Sequence, residues 1–287
     1  SDNEALGGSA RLWCKYFKRI KHLRYLNMSS CRLTGEDIQN MAHSLSDNII
    51  QLDLSRNFTL KGSARSWALF LRKLKKLKWL TLSDCSLTGE DITEVAISIS
   101  SMANCVIFSV DLDPCDAHIP FKDESFRRFW FGQTIGGMVL DLKECFLSLK
   151  QIARIFEAMR KRNDVVELDL STNRNLRGSA ADWCPSLEQL QHLQKVNLGG
   201  NELTAEDVKQ VWLSCSSIPT LTEVILSYNR DLGGSGHVWT RYIHKMKQLH
   251  KLKIEGSSLQ AGDVKPVAKS LSRMPELVEL DLSRNES

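Results

Sequence analysis

A six-residue string, Leu52-Asp53-Leu54-Ser55-Arg56-Asn57, returns as Leu168-Asp169-Leu170-Ser171-Thr172-Asn173 and again as Leu280-Asp281-Leu282-Ser283-Arg284-Asn285. Weaker copies fall between them. The first apolar residues of the copies are Leu26, Leu52, Leu80, Phe108, Leu140, Leu168, Val196, Val224, Leu252 and Leu280. Their spacings are 26, 28, 28 and 32 residues, then 28 throughout. Self-similarity at a fixed step of this size marks a stacked array, in which each unit buries its apolar face against its neighbours.

Inside a unit the pattern is L-x-x-L-x-L-x-x-[N/C]-x-L, as in Leu77, Leu80, Leu82, Cys85 and Leu87. Strict alternation at Leu80 and Leu82 predicts a short strand with one buried face. A helix follows. Thr34 with Asp37, Thr88 with Asp91 and Thr204 with Asp207 have the spacing of a reciprocal helix cap. A 28-residue step holds a strand, a turn, a helix of about three turns and a return. Parallel strands sit about 4.8 Å apart and helices need about 10 Å, so such a stack must bend. The expected fold is an α/β solenoid, a horseshoe with a parallel sheet on the concave face and helices on the convex face.

Two kinds of unit alternate. One has Cys31, Cys85, Cys145, Asn201 or Ser257 at the turn, mostly followed by Leu-Thr and acidic residues. The other has Asn57, Asn173, Asn229 or Asn285 there, followed where the chain continues by L-x-G-S-[A/G]-x-x-W. An asparagine amide can satisfy backbone groups left open where a strand ends, and cysteine does so more weakly while packing as a small hydrophobe. Cys31, Asn57, Cys85, Cys145, Asn173, Asn201 and Asn229 are therefore expected to form a structural ladder. Trp13, Trp67, Trp183 and Trp239 lie ten residues past the turn and are expected to fill the core between helices. The segment 113–137 has four extra residues and lacks the tryptophan motif. Its Phe121, Phe126 and Trp130 are expected to replace that packing or to form an irregular contact loop.

No phosphate loop, metalloprotease helix, nucleophile elbow or calcium loop occurs in the chain. No catalytic residue, cofactor or metal site is expected, because the histidines are scattered and the cysteines lack zinc spacing. No apolar run reaches the roughly 20 residues of a membrane span, and no membrane partner is expected. Eight unpatterned cysteines, and glycosylation sequons at the ladder positions Asn57 and Asn285, favour a reducing, cytoplasmic setting. What remains is surface. Among the outward strand positions, the candidate binding residues are Tyr25, Asp53, Trp79, Asp141, Asp169, Glu223, Lys253 and Asp281. The outward positions carry nine acids against four bases, so a mildly acidic concave face is expected, anchored by Tyr25 and Trp79. Bases gather before the strands and acids where helices begin, which helix dipoles favour. Without aromatic residues interleaved, the basic rim does not point to nucleic acid.

The alternating 28-residue units, and above all L-x-L-S-x-C-x-L-T at Leu80 to Thr88, resemble leucine-rich repeats of the ribonuclease-inhibitor-like type. They are most similar to the C-terminal repeats of NOD-like receptors. Residues 1–287 then read as one leucine-rich repeat domain, cut from a longer protein because neither end shows a polar capping unit. The resemblance implies the sensing or autoinhibitory region of an innate immune receptor. Its partners would be a protein or microbial ligand on the concave face or rims, together with upstream domains of the same chain. Two alternatives share the fold: an enzyme inhibitor like ribonuclease inhibitor, which needs a dense acidic groove, and a GTPase activator, for which Arg56 and Arg284 are the arginines to consider.

Overall fold

The computed structural model describes residues 3–105, 107–110 and 137–285. The candidates Phe121, Phe126 and Trp130 lie outside the described residues. The chain divides into two compact units, Ser1–Asp141 and Leu142–Ser287.

In the first unit, β1 (Tyr25–Asn27), β2 (Gln51–Asp53), β3 (Trp79–Thr81), β4 (Ile107–Ser109) and β5 (Met138–Asp141) run parallel in chain order. The register aligns Leu26, Leu52, Leu80, Phe108 and Leu140, the positions picked out by the repeat. In the second unit, β6 (Val165–Asp169), β7 (Lys195–Asn197), β8 (Glu223–Ile225), β9 (Lys251–Lys253) and β10 (Glu279–Asp281) do the same, aligning Leu168, Val196, Val224, Leu252 and Leu280. The fold is an α/β leucine-rich repeat solenoid. One face of each sheet is packed: Leu52, Leu54, Leu80, Leu82, Val196, Leu198, Val224 and Leu226 are almost wholly buried.

Helices cover that packed face. Those of the first unit are α1 (Ala10–Phe17), α2 (Gly35–Ser44), α3 (Ala64–Trp67) and α4 (Gly89–Ile99). Those of the second are α5 (Leu149–Met159), α6 (Ala180–Leu187), α7 (Ala205–Cys215), α8 (Gly236–Trp239) and α9 (Ala261–Leu271). The expected three turns are found in the units with a cap motif, where helices run 10 or 11 residues. The tryptophan units differ. There a 3-10 turn and the Gly-Ser segment use up the length, leaving α3 and α8 four residues long before a second 3-10 stretch. Trp67, Trp183 and Trp239 are buried, and Trp13 is partly so.

The capping motif reaches beyond its own helix. Thr34, Thr88 and Thr204 each accept from the backbone of the aspartate three residues on, and each aspartate answers the threonine N–H. The same carboxylates bind the preceding tryptophan unit. Asp91 accepts from Gly62 N–H at 2.7 Å and Ala64 N–H at 2.9 Å. Asp37 does this for Gly8 and Ala10, Asp207 for Gly178 and Ala180, and Asp263 for Gly234 and Gly236. The motif glycine has φ between 69° and 74° in all four copies, a left-handed backbone that an L side chain resists. The Gly-Ser-Ala string is thus an amide cradle at a helix start, filled by the next unit's capping aspartate.

Candidate functional site

The unpacked face of each sheet holds the candidate binding residues, and the turn ladder fixes where they stand. Asn57 is fully buried; its amide oxygen accepts from Cys31 N–H (3.1 Å) and Leu33 N–H (2.9 Å). Its amide nitrogen donates to the Met28 and Leu54 carbonyls. Asn173 donates to Leu142 and Leu170, and Asn229 to Leu198 and Leu226. Asn201 donates to Leu198 and accepts from Asn173 N–H at 2.5 Å. The Cys85 thiol donates to the Leu54 carbonyl at 3.1 Å, and the Cys31 and Cys145 thiols to Ser29 and Lys143. The ladder residues come in contact across neighbouring repeats, so each strand end is closed by side chains of its own and the adjoining unit.

The residue just before each ladder position is left-handed: Ser30, Arg56, Asp84, Glu144, Thr172, Gly200, Tyr228, Gly256 and Arg284 all have φ between 53° and 66°. Arg56 and Arg284 are therefore corner residues of a repeated turn. Arg56 lies 3.8 Å from Asp84, and Arg284 3.2 Å from Glu255.

On the first unit's open face, register sets two rows. Tyr25, Gln51, Trp79 and Val139 form an uncharged row, and Asn27, Asp53, Thr81, Ser109 and Asp141 a polar one. Tyr25 is 50% exposed and Trp79 half-buried. Asp53 departs from its reading as a groove contact. It is 5% exposed, accepts from Asn27 at 3.0 Å and from Ser55 N–H at 2.9 Å, and burial raises its pKa against the opposing pull of Ser55 and Arg56. Asp141 accepts from Ser109 at 2.8 Å.

On the second unit's open face, the first row alternates in sign: Glu167, Lys195, Glu223, Lys251, Glu279. Lys195 lies 3.5 Å from Glu167, Lys251 3.1 Å from Glu279, and Lys253 3.6 Å from Glu279. Hydrogen bonding to Glu279 raises the Lys251 pKa, and Lys251 lowers that of Glu279 in return. The second row is Asp169, Asn197, Ile225, Lys253 and Asp281. Asp169 accepts from Asn197 and from both the N–H and hydroxyl of Ser171, and Asp281 holds Ser283 the same way. The Asp-x-Ser of the repeat is a strand-end clasp. Lysines and Arg284 pair Glu167, Glu279 and Glu255, while the clasp holds the Asp169 and Asp281 carboxylates against the strand end, so few of these acids project freely.

Among the described residues no cluster of three or more histidine, cysteine or carboxylate groups could hold a metal. Burial pushes the Cys14, Cys85 and Cys215 thiols up to about 12, and raises Cys184 as well, so these sulfurs stay protonated and poorly nucleophilic. No described helix is long and apolar enough to cross a membrane.

Residues 20–42 and 189–210 match a family model described as leucine-rich repeat. The Rho GTPase-activating protein gacW of Dictyostelium discoideum is 21% identical over a 329-residue alignment, which takes in 96% of this chain and 28% of that protein. The solved structure of the leucine-rich repeat-containing protein LegL7 from Legionella pneumophila superposes with a TM-score of 0.57 at 14% identity, covering 97% of this chain and 80% of that one. By fold the chain is an α/β leucine-rich repeat solenoid, and two of its segments carry the repeat's sequence pattern.

Proposed function

We propose that the domain is a protein-docking scaffold, the sensing or autoinhibitory region of a NOD-like receptor, and that partners bind the open face of its sheet. One observation carries the reading. Residues that recur from repeat to repeat are consumed by ladder, cap and clasp, whereas Tyr25, Trp79, Glu223, Ile225 and Lys253 occupy face positions that change from strand to strand. Face positions that vary from strand to strand are where specificity can be written. The alternating charge of the second unit's first row fits a partner of mixed charge better than the strongly basic enzyme an acidic groove would select.

The test compares capture by the native chain with that by Tyr25→Ala/Trp79→Ala and by Glu223→Lys/Ile225→Asp/Lys253→Glu, each checked for unchanged circular dichroism. A defined set of proteins lost with either variant supports docking on that face. The same proteins recovered in full by both variants refute it. The receptor assignment requires a nucleotide-binding domain upstream in the full-length protein.

The relative named as a Rho GTPase-activating protein favours a second reading, a targeting module for a GTPase regulator. Since the chain spans 28% of that relative, catalysis would belong to another part of such a protein. Arg56, held at a turn corner beside Asp84, is poorly placed to act as a catalytic arginine. Arg56→Ala is expected to leave stimulated GTP hydrolysis unchanged even in this reading.

A further inference from the structure

Nine exposed cations stand on the two segments that lead into β1 and β3 of the first unit. Lys18, Arg19, Lys21 and Arg24 lead into β1, and Arg72, Lys73, Lys75, Lys76 and Lys78 lead into β3. The intervening loop into β2 stacks them together. Asn48 donates to the Lys21 carbonyl at 2.7 Å and accepts from Lys76 Nζ at 2.9 Å. Ile50 N–H binds the Arg24 carbonyl, and Lys78 N–H binds the Ile50 carbonyl. The two basic segments thus lie two strands apart, about 10 Å, across a hydrogen-bonding loop whose single acid, the exposed Asp47, leaves the edge strongly positive. On the far side, Asn104 donates to the Lys75 carbonyl.

The first unit's ion pairs among the described residues join Arg11 to Glu36, Arg32 to Glu4, Arg56 to Asp84, and Arg65 to Glu90 and Glu94. None uses the nine. In the second unit, by contrast, five arginines are paired: Arg160 with Glu157, Arg162 with Asp164, Arg174 and Arg177 with Glu202 and Asp231, and Arg284 with Glu255. Uncompensated like charge held this close is costly unless an anion meets it. Helix ends attract cations, yet that effect is confined to the last turn and does not extend to Arg24 or Lys78 at the strand starts.

Tyr25 follows Arg24 directly and is half exposed on the open face, with Trp79 beside Lys78 in the same row. Arg24-Tyr25 and Lys78-Trp79 are neighbours in the chain, and the fold brings the two pairs into one row, with one strand between them. Leu74 and Leu77, between the cations of the second segment, are buried, and among those of the first Ile20 is exposed, a single aliphatic side chain and too little apolar surface to anchor the edge in a bilayer. We infer that this edge binds single-stranded nucleic acid, with phosphates along the Lys21–Arg24 and Lys75–Lys78 loops and a base stacked on Tyr25.

The test is fluorescence anisotropy of purified protein with a labelled oligouridylate of roughly 20 nucleotides, titrated across salt concentration. With about five phosphates neutralised, log affinity is expected to fall against log salt with a slope near −3.5. Lys75→Gln/Lys76→Gln/Lys78→Gln should reduce that slope by about 2 in magnitude, and Lys21→Gln/Arg24→Gln by about 1.4. Tyr25→Ala should weaken binding about tenfold, and Tyr25→Phe should retain it. Arg160→Gln/Lys161→Gln, in the second unit, should change nothing. Equal losses in that control, or no salt-dependent binding at all, would overturn the inference. So would a silent Tyr25→Ala with polyglutamate competing as well as the oligonucleotide, which would make the edge a dock for acidic protein. These exposed substitutions leave the core untouched, and a preserved thermal midpoint confirms that folding is intact.

Discussion

Replacing Asp91 by alanine tests the double role of the capping carboxylate. Asp91 is 4% exposed and accepts from Thr88 N–H (2.9 Å), Thr88 hydroxyl (2.6 Å), Gly62 N–H (2.7 Å) and Ala64 N–H (2.9 Å). A lost cap costs about 1 kcal/mol. A buried N–H left without an acceptor costs about 1–3 kcal/mol, and the Ala64 amide has no water to turn to, since Ala64 is wholly buried. Gly62 is exposed, so its amide can rehydrate at little cost. Asp91→Ala is expected to lose about 3 kcal/mol in total. Thr88→Ala, which removes only the cap, should lose about 1 kcal/mol. Urea denaturation followed by far-ultraviolet circular dichroism measures both, with the slope m checked for constancy because repeat arrays can unfold in parts. Equal losses in the two variants would show that the bonds to the preceding unit contribute nothing, and the cradle argument would fail. Asp207→Ala against Thr204→Ala repeats the comparison in the second unit, where Asp207 serves Gly178 and Ala180.

The same carboxylates set an acid limit. Burial raises the pKa of Asp91 and Asp263, but the hydrogen bonds from Thr88, Ala64 and Gly62, and from Gln260, Gly236 and Gly234, outweigh it and leave both below the ordinary value of 3.8. A lowered folded pKa means that stability is fully present above the unfolded value and is lost as pH falls through the folded one. Urea midpoints should therefore hold from pH 7 down to about 5 and fall below about 4. Asp53, whose pKa is raised by burial, works in the opposite sense and should partly offset that fall. Asn57→Leu strands four buried backbone partners and is expected to cost about 3–5 kcal/mol, against about 1–2 for Cys85→Ala, again by urea denaturation. Cys14, Cys85, Cys184 and Cys215 should resist a thiol reagent at pH 8 in the folded chain and react once it is denatured; rapid native labelling would contradict their burial.

Strand register was open to a reader of the sequence because the buried leucines recur at a fixed step, and a slip of one residue would turn all of them to solvent. The threonine caps were open for the same reason: both partners of a cap lie within four residues. Asp53 shows where that reading stops. From the sequence it is an outward acid beside Leu52 and Leu54; in the fold Asn27, from the neighbouring repeat, closes over it. Glu167 and Lys195 are likewise 28 residues apart in the chain and face to face in the sheet.

The period alone determined a parallel strand stack with helices laid over it, since no other packing buries one apolar face per unit in so regular a series. Tertiary structure decided which polar groups remained available. The Asp91 cradle, the Asn57 ladder, the Glu–Lys row and the joining of the two basic segments through Asn48 all depend on groups of adjacent repeats meeting across a few ångströms. Such contacts are set by the register and spacing of the folded stack, and residues 26 to 29 positions apart come together only once that stack has formed.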